Sequence, residues 1–409
     1  MPTGNAQQSL RRMAWRARRV ISLAGEGPAR GKELCRPLRS LDDAVIVACG
    51  DRVERVERHA VFRPDAGMEV RDLGAVTVVP GLINAHTHLQ LSHLAGETVW
   101  GKGFVPWLRS LIPRLSLPLR PEAVATAVRR IVDTGTALVG DYTGQGVLTV
   151  GDLAREAGLE CTLFCEWFGF DTSAFTRRDD PWPARYGALM RDAPESLRRH
   201  MAPAGHALYS THADILRAAH AWCASHDRPF SLHLAEFPEE TEALVSGRGA
   251  LVELYAGVVL PNNWKAPGLP PVPLAEALGL LGPGPLAVHC VQCSGHDIRL
   301  LAQSGTAVCL CPRSNAALAV GAPPVSALAE AGVLLCLGTD GLTSNTDLDV
   351  RQEAIALREQ GAPLEALVRM LTVNGAAALG RGNLGTLEPG KLNRWAVLPE
   401  AWEESWERK

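Results

Sequence analysis

"LINAHTHLQLS", residues 82–92, sets two histidines one residue apart at the end of a run that otherwise reads as a β-strand. Side chains at i and i+2 of a strand project to the same face, so His86 and His88 point the same way. The chain has only 12 histidines in 409 residues, and nothing in strand formation asks for such a pair. Working outward, seven more short apolar runs follow: "ALVGDYT" (137–143), "ECTLFCEWFGF" (160–170), "HALYSTH" (206–212), "FSLHLAE" (230–236), "LAVHCVQC" (286–293), "TAVCLCPRS" (306–314) and "VLLCLGTD" (333–340). Helix-like stretches such as "PEAVATAVRRIVDTG" and "ADILRAAHAWCASH" separate most of them. Gly135, Gly158, Gly305 and Gly332 stand where helices end, which suits a left-handed C′ position.

Eight strands alternating with helices is the pattern of parallel βαβ units, and the count fits a closed (β/α)8 TIM-like barrel of the α/β class. The polar residues of each run gather at its C-terminal end: His86 and His88, His212, Glu236, His289, Arg313 and Asp340. That end carries the active site in such barrels. The flanks read differently. Residues 13–75 and the tail "LGTLEPGKLNRWAVLP" (384–399) look like short strands broken by turns. The expected organisation is therefore a barrel over 78–380 and a small β-sandwich domain made from 1–77 and 381–409. The Pro-rich segment 258–278 reads as a lid, an oligomer contact or a plain surface loop.

Composition narrows the class. Apolar residues make up 46% of the chain and its formal net charge is −3, which gives no field for nucleic acid. The arginine-rich "RRMAWRARRV" (11–20) reads as an exposed first strand, because "VISLAG" is too short an apolar run to complete a signal peptide. No apolar run approaches the ~20 residues that cross a bilayer. Ten cysteines without a leader point to reduced thiols and a cytoplasmic protein. Cys290, Cys293, Cys309 and Cys311 have the spacing of zinc-ribbon pairs. They sit in strand-like runs rather than on turns, so buried free thiols are expected. The expected partner is a small-molecule substrate, with a homodimer left open.

A catalytic metal needs three or four protein ligands, so His86 and His88 call for others from different strand ends, and His233, His289 and Asp340 are placed to supply them. "PGLINAHTH", "HLAE", "AVHC", "CPRSN" and "GTDGLTSN" occur in this order, and together they resemble the amidohydrolase superfamily, in its cytosine-deaminase-like and chlorohydrolase-like branch. The resemblance covers residues 15–398. It implies one divalent metal, zinc or iron, held by His86, His88, His233 and Asp340. It also implies a proton-shuttling carboxylate at Glu236 and a water-orienting histidine at His289, with Asp340 taking a proton from the water. Binuclear members bridge two metals with a carboxylated lysine after strand four. The five lysines here (Lys32, Lys102, Lys265, Lys391 and Lys409) lie elsewhere, which favours one metal and deamination.

The implied activity is hydrolytic deamination of an aminated heterocycle, with release of ammonia. "GKGFVPWLRSLI" (101–112) and "HLAEFPEETEALVSGRG" (233–249) resemble enzymes acting on 6-amino-6-deoxyfutalosine, an intermediate of an alternative menaquinone pathway. Alternatives are deamination of S-adenosylhomocysteine, methylthioadenosine, guanine or cytosine, triazine dechlorination, or a barrel kept as a scaffold. Substrate-binding candidates are Trp107, which would stack on a purine or simply be buried, His206, His212, and Arg313, which would pair with a substrate carboxylate or with a rim acid. Strand four reads "AGHALYSTH" rather than the family's "PHAPYS", which weakens transfer of nucleoside specificity.

Overall fold

The computed structural model describes residues 11–144, 146–172, 193–399 and 402. Strands β1 (Arg12–Val20), β2 (Leu41–Cys49), β3 (Arg52–Arg58), β4 (Glu69–Asp72) and β5 (Thr77–Pro80) come from the N-terminal flank. Next come β6 (Leu82–Thr87), β7 (Thr136–Thr143), β8 (Glu160–Trp167), β9 (Met201–Gly205), β10 (Ser231–Leu234), β11 (Leu286–His289), β12 (Ala307–Leu310) and β13 (Leu334–Leu337), and β14 (Trp395–Val397) follows in the tail. The flanking strands form one six-stranded sheet in the order β14-β5-β1-β2-β3, with β4 on β1. Both ends of the chain thus build it, as a single hydrogen-bonded sheet.

The arginines of β1 are neutralised on that sheet. Arg12 pairs with Glu54 and Asp65, Arg16 Nε lies 2.7 Å from Asp43 and Arg19 Nε 2.8 Å from Asp42. Exposed pairs of this kind add little stability, but they cancel the basic run.

β6 to β13 make two four-stranded parallel sheets, β6-β7-β8-β9 and β10-β11-β12-β13. Single parallel bridges join both seams: Ala207 to His233 beside β10, and Thr87 to Asp340 beyond β13. The eight strands are buried along nearly their whole length, as expected for strands covered on both faces. Helices over 121–133, 147–156, 213–225, 271–277, 295–304 and 325–330 each precede the next strand. Gly135, Gly158, Gly305 and Gly332 all have positive φ at the helix ends.

Strand four departs from expectation. It is Met201–Gly205, and 206–212 instead turns after its C-terminal end, with Thr211 N bonded to Ala207 O at 3.0 Å. "MAPAG" hides its strand character because Pro203 lacks an N–H and two alanines and a glycine give no β-branched signal. The true strand pairs along its length only with β8, which leaves the proline edge nearly unbonded.

Candidate active site

β6 delivers the opening pair. His86 is in the strand and His88 just beyond it, while Thr87 between them turns the other way and donates to Asp141 Oδ1 at 2.8 Å. The same oxygen accepts Leu89 N–H at 2.7 Å, so Asp141 grips the chain on both sides of His88. The rings of His86 and His88 meet edge to face at 4.9 Å.

His233, from β10, stands 4.9 Å from His86 ring to ring, and its Nε2 lies 3.3 Å from His88 Nε2. Its Nδ1 donates to His206 O at 2.9 Å, which leaves the Nε2 lone pair facing the centre. Ligand atoms of His86, His88 and His233 all lie within 4.8 Å of one another. Tyr142 packs beneath them, 5.0 Å from His86 and 4.8 Å from His233.

Asp340 enters from the seam beyond β13, where its N–H bonds to His86 O at 3.0 Å. One carboxylate oxygen, Oδ2, accepts Ser314 Oγ at 2.6 Å and Ser344 Oγ at 2.7 Å. The other, Oδ1, is 3.6 Å from His86 Nε2 and 3.4 Å from His88 Nε2. Gly338 makes this approach fit: a Cβ there would stand 2.7 Å from His86 Cβ and 2.9 Å from His86 N.

His289 ends β11. Its Nδ1 donates to Asn315 Oδ1 at 3.0 Å, so Nε2 carries the lone pair, 3.6 Å from Glu236 Oε1. Ala235, His289, Cys290 and Asp340 all have left-handed backbone, with φ of 52°, 77°, 49° and 59°. Non-glycine residues in this region store strain, and here they cluster where the strands deliver their polar side chains.

Electrostatics suit ligation. Burial pushes His86 and His206 well below 6.5, and His88 and His233 down to about 4, so the imidazoles are neutral. Burial, with the charges of Asp340 and Glu240, pushes the Glu236 carboxyl well above the usual range. Burial also works against ionising Asp340, but His86 and the nearby His88 and His289 outweigh it and hold that carboxyl low.

A divalent cation fits this donor set. His86 is fully buried, yet neither of its ring nitrogens makes a hydrogen bond among the described residues. The Nε2 atoms of His88 and His233 face each other at 3.3 Å, that of His233 as a lone pair because its Nδ1 donates to His206 O. An ion at their centre satisfies all three imidazoles.

The model of the Amidohydrolase family matches residues 77–407. The chain belongs to the amidohydrolase family. This amidohydrolase is a hydrolytic deaminase acting on carbon–nitrogen bonds, and the family uses a divalent metal. It is 31% identical over 370 residues to a 5-methylthioadenosine/S-adenosylhomocysteine deaminase of Nitratidesulfovibrio vulgaris, covering 85% of this chain and 77% of that protein. A zinc-bound adenosine deaminase of Xanthomonas campestris superposes with a TM-score of 0.73 at 25% identity, over 94% of this chain and 84% of that one. The aminofutalosine deaminase of Helicobacter pylori gives 0.78 at 22% identity, over 94% and 91%, which speaks to the fold alone.

The substrate candidates scatter. His206 is at the centre, its ring 4.8 Å from His233 and its Nδ1 2.6 Å from Ser210 Oγ. His212 is not: it caps the helix at 213–225 by accepting Asp214 N–H at 3.2 Å. It lines a separate groove of about 340 Å³ with Phe170, Leu208 and, from the Pro-rich segment, Trp264 and Lys265. Arg313 makes the rim ion pair instead of offering its guanidinium to a ligand, with both terminal nitrogens on Asp347 at 2.8 Å. Trp107 is pinned by its Nε1, which donates to Thr343 O at 2.8 Å, and packs on Phe104. None of the ten cysteines forms a disulfide, and no cluster of potential metal ligands among the described residues includes one.

Sequence reading missed Asp141, Tyr142, Ser314, Asn315 and Ser344. Ser314 and Asn315 lie inside "CPRSN", where small polar residues beside an arginine carry no ligand signal of their own.

Proposed function

We propose that this amidohydrolase removes the amino group of an adenosine-type nucleoside, and that His86, His88, His233 and Asp340 would hold one metal ion, zinc first. The observation that carries the reading is the Glu236 carboxyl 3.6 Å from the His289 lone pair, next to three imidazoles gathered for an ion. The eight parallel strands, bridged at both seams, form a closed (β/α)8 barrel that presents these residues at one mouth. The barrel spans 78–380 and the terminal segments form the small β domain. Ten free cysteines support a reducing, cytoplasmic setting.

When bound, the ion supplies Lewis acidity that brings the pKa of water to about 7. His289 Nε2 accepts a hydrogen bond from the attacking water and orients it, its own tautomer fixed by Asn315. Glu236 gives its proton to the ring nitrogen beside the amine-bearing carbon, which opens that carbon to attack. The Asp340 carboxylate takes a proton from the water, and that proton passes to the departing amine, which leaves as ammonia. Glu236 recovers its own proton from the new hydroxyl as the carbonyl forms.

The relatives' names favour 5′-substituted adenosines such as 5-methylthioadenosine and S-adenosylhomocysteine. Engagement of Arg313 by Asp347 supports a substrate that needs no carboxylate partner there, such as 5-methylthioadenosine. The test is ammonia release from adenosine, 5-methylthioadenosine, S-adenosylhomocysteine and aminodeoxyfutalosine, with a chlorotriazine scored for chloride. Highest kcat/KM on an adenosine is expected. Chloride release without ammonia would overturn the reading in favour of a dehalogenase.

A further inference from the structure

β8 ends in Cys165-Glu166-Trp167, and Phe168 follows it directly. Cys165 and Trp167 are buried on one face of the strand, so alternation sends Glu166 and Phe168 the other way together. A carboxylate oxygen of Glu166 lies within 4.8 Å of ring nitrogens of both His206 and His233. Phe168, 39% exposed, stands edge-on to His206 at 5.1 Å and to Tyr255 at 6.0 Å. A large aromatic left open to solvent beside a polar cluster has the makings of a ligand contact.

Glu166, His206 and His233 have the residue types of a second metal site, but their hydrogen bonds argue against one. The Nδ1 of His233 is spent on His206 O, and its Nε2 faces His88. No lone pair of His233 is left for another ion. His206 Nδ1 is in turn held by Ser210 Oγ. The cluster therefore contributes an acceptor rather than a ligand set. It also lies on a different flank from Glu236, whose imidazole neighbour is His289 at 3.6 Å.

We propose that Glu166 and Phe168 form a specificity wall for the substrate. Glu166 accepts a hydrogen bond from an N–H or O–H donor on it, and Phe168 packs against a ring face. An ionised carboxylate has no proton to offer a ring-nitrogen lone pair, so it reads donors only. A nucleoside carries two such sources, the sugar hydroxyls and the exocyclic amine. This inference rests on the deaminase reading above.

The test compares Glu166→Ala, Glu166→Gln and Phe168→Ala with wild type on adenosine, 2′- and 3′-deoxyadenosine and adenine, with metal content measured for each protein. Loss of a hydrogen bond to a charged group corresponds to a ~10- to 150-fold fall in kcat/KM. That fall is expected in Glu166→Ala, mainly through KM, with the metal retained. Glu166→Gln, which keeps one acceptor oxygen, should fall less. Phe168→Ala should raise KM by about 5- to 10-fold. If a sugar hydroxyl is the donor, Glu166→Ala should lose nothing further on the deoxynucleoside that lacks it. If the amine is the donor, all four substrates should lose equally. Activity within twofold of wild type on every substrate, or loss of the metal from Glu166→Gln, would overturn the proposal. Wild-type protein that releases no ammonia from any amine would instead sink the deaminase reading itself.

Discussion

Removing Ser314 and Ser344 tests whether the orientation of Asp340 sets metal affinity. Asp340 Oδ2 accepts both hydroxyls, at 2.6 and 2.7 Å, which turns Oδ1 toward His86 and His88. A hydrogen bond to a buried charged group contributes about 1.5–3 kcal/mol, and a supporting partner of a metal ligand typically controls 10- to 100-fold in affinity. Ser314→Ala or Ser344→Ala alone should therefore weaken metal binding by about 10-fold, because the remaining hydroxyl still holds Oδ2. The double variant strands that oxygen and should lose about 100- to 1,000-fold. The two hydroxyl oxygens also lie 2.9 Å apart, so the effects should be non-additive by up to about 1.4 kcal/mol. Competition of each variant against a chelator of known affinity reads this directly, with thermal melts of the metal-free proteins as the folding control. A double variant that holds metal as tightly as wild type would refute the reasoning, since Oδ2 would then have no part in aiming Oδ1.

Further outcomes follow from the same geometry. Asn315→Leu removes the acceptor that fixes the His289 tautomer, and should cut kcat by about 10- to 100-fold with metal content unchanged; unchanged kcat would remove the orienting role of His289. Gly338→Ala forces a Cβ to within 2.7 Å of His86, and should cost about 1–3 kcal/mol of stability along with metal affinity; urea unfolding and metal analysis check both. Asp141 is buried with its carboxyl pushed from 3.8 up to about 7, so the folded chain holds that proton more tightly than the unfolded one. Its contribution is fully present below about pH 4 and is lost as pH rises through 7, by up to about 4 kcal/mol. Between pH 4 and 8 the wild type should therefore lose stability relative to Asp141→Asn, which urea unfolding at several pH values would show. Parallel curves would contradict it.

The sequence displayed the metal-facing residues because strand alternation is local. His86 and His88 follow from a period of two, and "HLAE" and "GTD" sit at the ends of apolar runs. What it hid depends on contacts between distant segments. Ser314 and Asp340 are 26 residues apart, Asp141 and Thr87 54 apart, and only the ring of strand ends brings them together. Arg313 looked like a ligand contact because its partner Asp347, 34 residues on, reaches it only after the loop beyond β13 folds back. Strand four was displaced for a different reason. "HALYSTH" carries the β-propensity, but its turn is set by bonds back to Ala207, while the strand proper is small residues and a proline. Glu166 sat in plain view within "ECTLFCEWFGF" and drew no reading, since a lone glutamate in a strand has many structural uses.

In the proposed function, Glu236 is the acid that makes deamination work while the imidazoles hold the metal independently of it. Ammonia release from 5-methylthioadenosine by Glu236→Gln, with its metal content determined on the same sample, tests this most directly. Turnover should fall by about 10²- to 10⁴-fold with the metal still bound. Turnover close to wild type from a fully loaded Glu236→Gln protein would contradict it.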